Sequence, residues 1–247
     1  VNTQLRRKFL LSFLLIVPSI ATYAIHWAIF RNAHDIFYYL LMDVAFLFVQ
    51  AVLAMVILDG LLNAHENQVI AKKVNVVIGI FFSEVGTPLL RLLGGFDGRA
   101  DLLHQHLKVD SAWSPGQFTK MQMVLRSHEP SIDARRDDLA TLKVFLGQQR
   151  DFLVRLLENP NLLEHETLTE SLWAVFHLAD ELAHRQDLTA LSEADGAHLG
   201  QDIRRAYDLL VRGWLQYIQH LKSDYPFLFS LAVRTNPFDP TARVELV

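Results

Sequence analysis

The residues best placed to do chemistry lie between positions 166 and 186, where Glu170, His177, Glu181 and His184 recur at helical spacing. Imidazole nitrogens and carboxylate oxygens are the usual ligands of transition-metal sites. Glu181-Leu182-Ala183-His184 is a Glu-x-x-His pair of the kind that helical bundles place around iron. Two further acid-x-x-His pairs occur, Asp101 with His104 and Asp195 with His198. With 11 histidines and 27 acidic residues in 247 positions, about one such pair is expected by chance when only spacings that share a helix face count. The same stretch carries an apolar stripe of Leu168, Leu172, Val175, Phe176, Ala179 and Leu182. Its polar side is therefore expected to meet water, either as a solvated face or as a surface metal site.

A second place for chemistry is an ionisable group within an apolar run. Residues 36–58 read IFYYLLMDVAFLFVQAVLAMVIL, with Asp43 as the one charged side chain. Residues 9–30 form a similar run, with His26 near its far end beside Trp27 and Tyr23. Each run is long enough to cross a hydrocarbon core of about 30 Å at about 1.5 Å per residue. An intramembrane carboxylate is a candidate for ion or proton handling, and the structural alternative is pairing with a polar group such as His26. Two spans alone cannot enclose a pore, so a channel or transporter would need several copies. A cleaved signal peptide is the competing reading of the first run, but its apolar length exceeds an ordinary signal core.

Only residues 31–35 separate the two runs, so they are expected to form an antiparallel hairpin. Arg6, Arg7 and Lys8 precede the first run, and Lys72 and Lys73 follow the second. The positive-inside rule then places both termini in the cytoplasm and the tip outside. Other chemistries are excluded or unsupported. The chain has no cysteine, which removes disulfides, thiolate catalysis and Cys-based metal sites. A net charge of −4 gives nucleic acid no basic surface to bind. There is no Gly-rich phosphate loop, no Gly-x-Ser-x-Gly elbow and no His-Glu-x-x-His.

Beyond the second run comes a polar collar with His65, and then VNVVIGIFFSEV at 74–85. That segment is too short for a third span, which needs about 20 residues. Asn75, Gly79 and Ser83 fall four apart on one helical face, a small-residue stripe that lets another helix approach closely. The approaching helix is expected to belong to a second copy or to the chain's own soluble domain; a place on the membrane surface is a further alternative. Gly86-Thr87-Pro88 is expected to end the helix. The run NVVIGIFFSEVGTPLL resembles a juxtamembrane segment of bacterial membrane proteins with two N-terminal spans. That resemblance implies the same architecture and a bacterial inner-membrane location. It implies no activity and no cofactor.

From position 97 onward the pattern is helical, with no period-two strand run. Ser114-Pro115 signals a helix start, long helices are expected at 133–158, 166–186 and from Ser192 to about 222, and a short apolar one follows Asp224. The expected fold is all-α: a transmembrane hairpin at 1–58, a juxtamembrane coupling helix at 59–95, and an antiparallel helical bundle at 96–247. The expected function is that of a non-enzymatic, homo-oligomeric membrane protein with a cytoplasmic scaffold, regulatory or partner-binding domain. A channel subunit and a membrane-tethered metal enzyme using Glu170, His177, Glu181 and His184 are the alternatives.

Overall fold

A computed structural model describes residues 2–135, 137–163 and 166–245, with side chains described at all of these except 2–5, 7–12, 15, 33, 63–72, 161 and 163. Arg7, Lys8, His65, Lys72 and the opening of the 9–30 run lie outside the described side chains. Among the described residues the fold is all-helical, with one isolated antiparallel bridge between Asp97 and Ile132. The chain divides into two compact units, Val1–Gln68 and Val69–Val247.

The first unit holds helix α1 (Asn2–Phe30) and the beginning of α2 (Ala33–Phe81). Arg31 takes a left-handed φ of 47°, uncommon for a residue with a Cβ, and its N–H still closes on Trp27 O at 2.9 Å. Asn32 then caps α2, its Oδ1 accepting from His34 N at 3.1 Å. Tyr23 donates to Asp43 Oδ2 at 3.4 Å. The bond joins two antiparallel helices across the two-residue turn of Arg31 and Asn32.

The second unit begins inside α2. The segment expected to couple two domains is part of this unit from Val69 onward. Val74, Phe81, Phe82, Val85, Leu89, Leu90 and Leu93 are all buried in its core. Pro88 does not end the helical path there. A π turn (Phe82–Gly86) leads directly into α3 (Thr87–Gly95), and Thr87 N–H donates five residues back to Phe82 O. Proline lacks an N–H and its ring crowds the carbonyl four residues earlier. Widening the preceding turn and placing Pro88 in the first turn of α3 satisfies both constraints.

Helices α4 (Ala100–His106), α5 (Pro115–Arg126), α6 (Leu139–Leu157), α7 (Pro160–Leu163), α8 (Glu166–His184), α9 (Glu193–Asp224) and α10 (Pro226–Arg234) complete the unit. The helix expected from Asp133 starts instead at Leu139, because Asp138 caps it by accepting from Ala140 N and Thr141 N at 2.8 and 3.1 Å. A full capping box starts α5: Gln117 N donates to Ser114 Oγ, and Ser114 N to Gln117 Oε1. The core runs along α8 and α9, with Leu172, Val175 and Leu178 of α8 and Ile203, Leu210 and Trp214 of α9 among its buried residues. Of the three tryptophans of this unit, Trp113 and Trp214 are buried while Trp173 is exposed.

Candidate functional site

Helices α8 and α9 are consecutive and packed together, and their facing residues run in opposite order. Glu181 meets His198, and Ser171 Oγ lies 4.0 Å from where a Cβ on Gly213 would be. That antiparallel register aligns two His-x-x-x-acid pairs, His177/Glu181 on α8 and His198/Asp202 on α9. Residues four apart share a helix face, so each helix contributes one imidazole and one carboxylate to the same point.

The contacts are close. His198 Nε2 lies 3.5 Å from Asp202 Oδ2 and 3.6 Å from Glu181 Oε2. His177 Nε2 lies 3.5 Å from Asp202 Oδ1 and 3.9 Å from Glu181 Oε1. Each carboxylate therefore turns one oxygen to each histidine. Asp202 is the most enclosed member, its side chain 12% exposed, while both imidazoles are about half exposed. Arg185 forks between Glu181 Oε2 at 2.6 Å and Asp195 Oδ1 at 3.0 Å. The hydrogen bond from Arg185 is the main reason the Glu181 carboxyl is held below its ordinary range, so it stands ready as a carboxylate.

Of the four residues picked out in the sequence, His177 and Glu181 belong to this cluster and two do not. Glu170 lines a separate polar recess with Gln122, Arg126, Arg212 and Gln216. His184 turns back along its own helix, with Nδ1 2.8 Å from Asp180 O. The acid-x-x-His spacing builds no cluster. Asp195 is taken by Arg185, and Asp101 lies 3.8 Å from His104 as an exposed local pair. The signal that finds the site is the i,i+4 pair repeated on consecutive helices, which adds His198 and Asp202.

The small-residue stripe lines a different feature. Asn75, Gly79 and Ser83 form one wall of a groove of about 350 Å³, with Trp214, Tyr217 and Leu221 of α9 and Leu228 and Leu231 of α10 opposite. A Cβ on Gly79 would stand 3.7 Å from Tyr217 Cε2, so the helix that approaches the stripe is α9 of the same chain. In the first unit, Asp43 is paired with Tyr23 and not with His26. His26 instead packs its ring on Phe30, 4.8 Å between centroids.

An apolar two-helix unit followed by an all-helical domain with a His–carboxylate cluster defines the class of protein. The chain belongs to the MJ1433 family: residues 70–234 match the family described as "Uncharacterized protein MJ1433, C-terminal helical domain", and residues 2–62 match "MJ1433, N-terminal helical domain". The two matches fall on either side of the boundary between the compact units at Gln68 and Val69. The chain is 41% identical over 234 residues, 95% of its own length and 94% of the relative's, to "Uncharacterized protein MJ1433" of Methanocaldococcus jannaschii. No solved structure matches it.

Proposed function

We propose that the chain is an integral membrane protein in which α1 and the beginning of α2 form a transmembrane hairpin. In this reading the second unit is a non-enzymatic binding or regulatory module on the cytoplasmic face. The observation that carries the proposal is the stretch His34–Leu62, a 29-residue helix long and apolar enough to cross a bilayer, with none of its apolar window buried. Phe37, Leu41, Phe48, Val52 and Met55 are each more than 60% exposed. An apolar surface that long and continuous exceeds what a soluble monomer leaves in water, about 300–600 Å² for its largest patch. A bilayer removes that cost. The apolar groove between α2, α9 and α10 supports the binding role, since a concave, mostly apolar surface is the common form of a ligand site.

The experiment uses the absence of native cysteine. Asn32→Cys in the turn and Ser230→Cys on α10 each create a single thiol. Intact cells are exposed to a membrane-impermeant maleimide, and membranes isolated from the same cells are separately washed with alkaline carbonate. The protein is expected to stay in the pellet, with Asn32→Cys labelled and Ser230→Cys labelled only after lysis. Release by carbonate overturns the anchor, and the reverse labelling pattern overturns the orientation.

A further inference from the structure

We propose that His198, Asp202 and Glu181, completed by His177, bind one divalent transition-metal ion that clamps α8 to α9. Ligand chemistry comes first. Two imidazoles and two carboxylates are a borderline set that suits zinc, cobalt, nickel or iron(II) better than magnesium or calcium, which favour oxygen alone. Geometry comes second. A tetrahedral ion with bonds of about 2.0–2.1 Å holds its ligand atoms about 3.3–3.4 Å apart. The separations here are 3.5 Å from His198 to Asp202 Oδ2 and 3.6 Å from His198 to Glu181 Oε2, with His177 3.5 Å from the second oxygen of Asp202, Oδ1. The donor atoms of Glu181, His198 and Asp202 all lie within 4.8 Å of one another. Rotation of the two half-exposed imidazoles closes these three donors on an ion, and His177, 3.5 Å from the other oxygen of Asp202, swings in as the fourth.

A third observation comes from an enclosed acceptor. Asp202 Oδ2 is buried and accepts no hydrogen bond. A buried carboxylate oxygen without a donor is costly, and a cation in the cluster supplies the missing partner. The surrounding charge agrees with that. Glu181 and Asp202 bring two carboxylates, and Arg185, the cation beside Glu181, is shared with Asp195. Arg185 then acts as a positioning residue, fixing the Glu181 carboxylate through Oε2 while Oε1 faces His177. The half-exposed imidazoles leave an approach from solvent by which the ion enters.

Cobalt(II) tests this on the full chain in detergent, stripped first with a chelator. One cobalt per chain is expected, with the strong visible bands of a four-coordinate ion and a rise in the unfolding temperature of the helical domain. His198→Ala and Asp202→Asn are each expected to weaken binding at least tenfold, since altering outer-shell partners alone costs about 10–100-fold. Glu170→Gln and His184→Ala, which lie outside the cluster, are expected to bind cobalt as the parent does. His198 is half exposed, so its alanine variant keeps the fold, which circular dichroism checks. Absence of stoichiometric cobalt overturns the proposal, as does binding that survives in both cluster variants or that is lost equally in His184→Ala.

Discussion

A Cβ on Gly86 would stand 2.5 Å from Cδ1 of Phe82. The two residues open and close the π turn, and the Phe82 ring is held on its other sides. It stacks on Tyr217 with ring centroids 5.1 Å apart and planes 10° from parallel. On its far edge, Cζ lies 3.3 Å from where a Cβ on Gly213 would be. Both glycines are thus required by the ring that sits between them. Gly86→Ala is expected to destabilise the helical domain by about 1–3 kcal/mol, the usual cost of overpacking a filled core. Thermal or urea unfolding followed by circular dichroism checks it, and an unchanged midpoint would show that the turn relaxes freely.

Asp97 ties the segment after α3 to the segment before α6. Its side chain is buried, and Oδ1 accepts from Arg99 N at 2.9 Å and from Ser131 N at 2.8 Å. Burial, with the Asp97 carboxylate adding to it, pushes the Tyr207 phenol up from its ordinary value. Asp97→Ala leaves two backbone donors without an acceptor and is expected to cost about 3 kcal/mol. Asp97→Asn keeps Oδ1 as acceptor and is expected to lose less. Equal losses in the two variants, measured by urea unfolding, would mean that the charge and not the hydrogen bonds matters there.

Helix positions were legible because periodicity and caps act locally. Ser114-Pro115 starts α5 as its residue types dictate, and the stripe from Leu168 to Leu182 is the buried face of α8. Tertiary effects were not legible in the same way. The glycine and proline at 86 and 88 read as a stop, but burial of Phe82, Val85 and Leu89 holds the path helical through a π turn. The candidate cluster was half visible for a related reason. His177 and Glu181 share one helix, whereas pairing them with His198 and Asp202 depends on the register between α8 and α9, which is set by core packing. Asp43 likewise found Tyr23, a pairing set by how α1 and the beginning of α2 meet and not by the spacing within either run.

Acid should act on the C-terminal segment through Asp239. The hydroxyl of Thr241 donates to its Oδ1 at 2.7 Å and Thr241 N at 3.0 Å, and Lys108 Nζ lies 3.7 Å away. The Thr241 hydroxyl is the main reason this carboxyl is held below its ordinary value of 3.8. A carboxyl lowered by folding adds stability that is present above the unfolded value and lost as pH falls through the folded one. Stability of the parent chain is therefore expected to drop below about pH 4. Asp239→Asn should show a shallower decline over the same range. Thermal midpoints measured across that range check this, and parallel curves for the two proteins would remove Asp239 from the acid response.

Gly79 makes the opposite prediction to Gly86, although both lie on the same helical path. A Cβ at Gly79 meets Tyr217 Cε2 at 3.7 Å, an ordinary van der Waals distance, and the residue sits inside α2. Alanine there should cost nothing in contacts and remove the entropic penalty of a helical glycine, for a gain of about 0.5–1 kcal/mol. If the Asn75/Gly79/Ser83 stripe instead packed between copies, the same methyl would separate two backbones and lower the assembled mass. Gly79→Ala is expected to raise the unfolding midpoint and leave the mass measured by light scattering in detergent unchanged. A lower mass would return the stripe to an interface between copies. A lower midpoint at constant mass would mean that Tyr217 cannot accept even the shortest side chain.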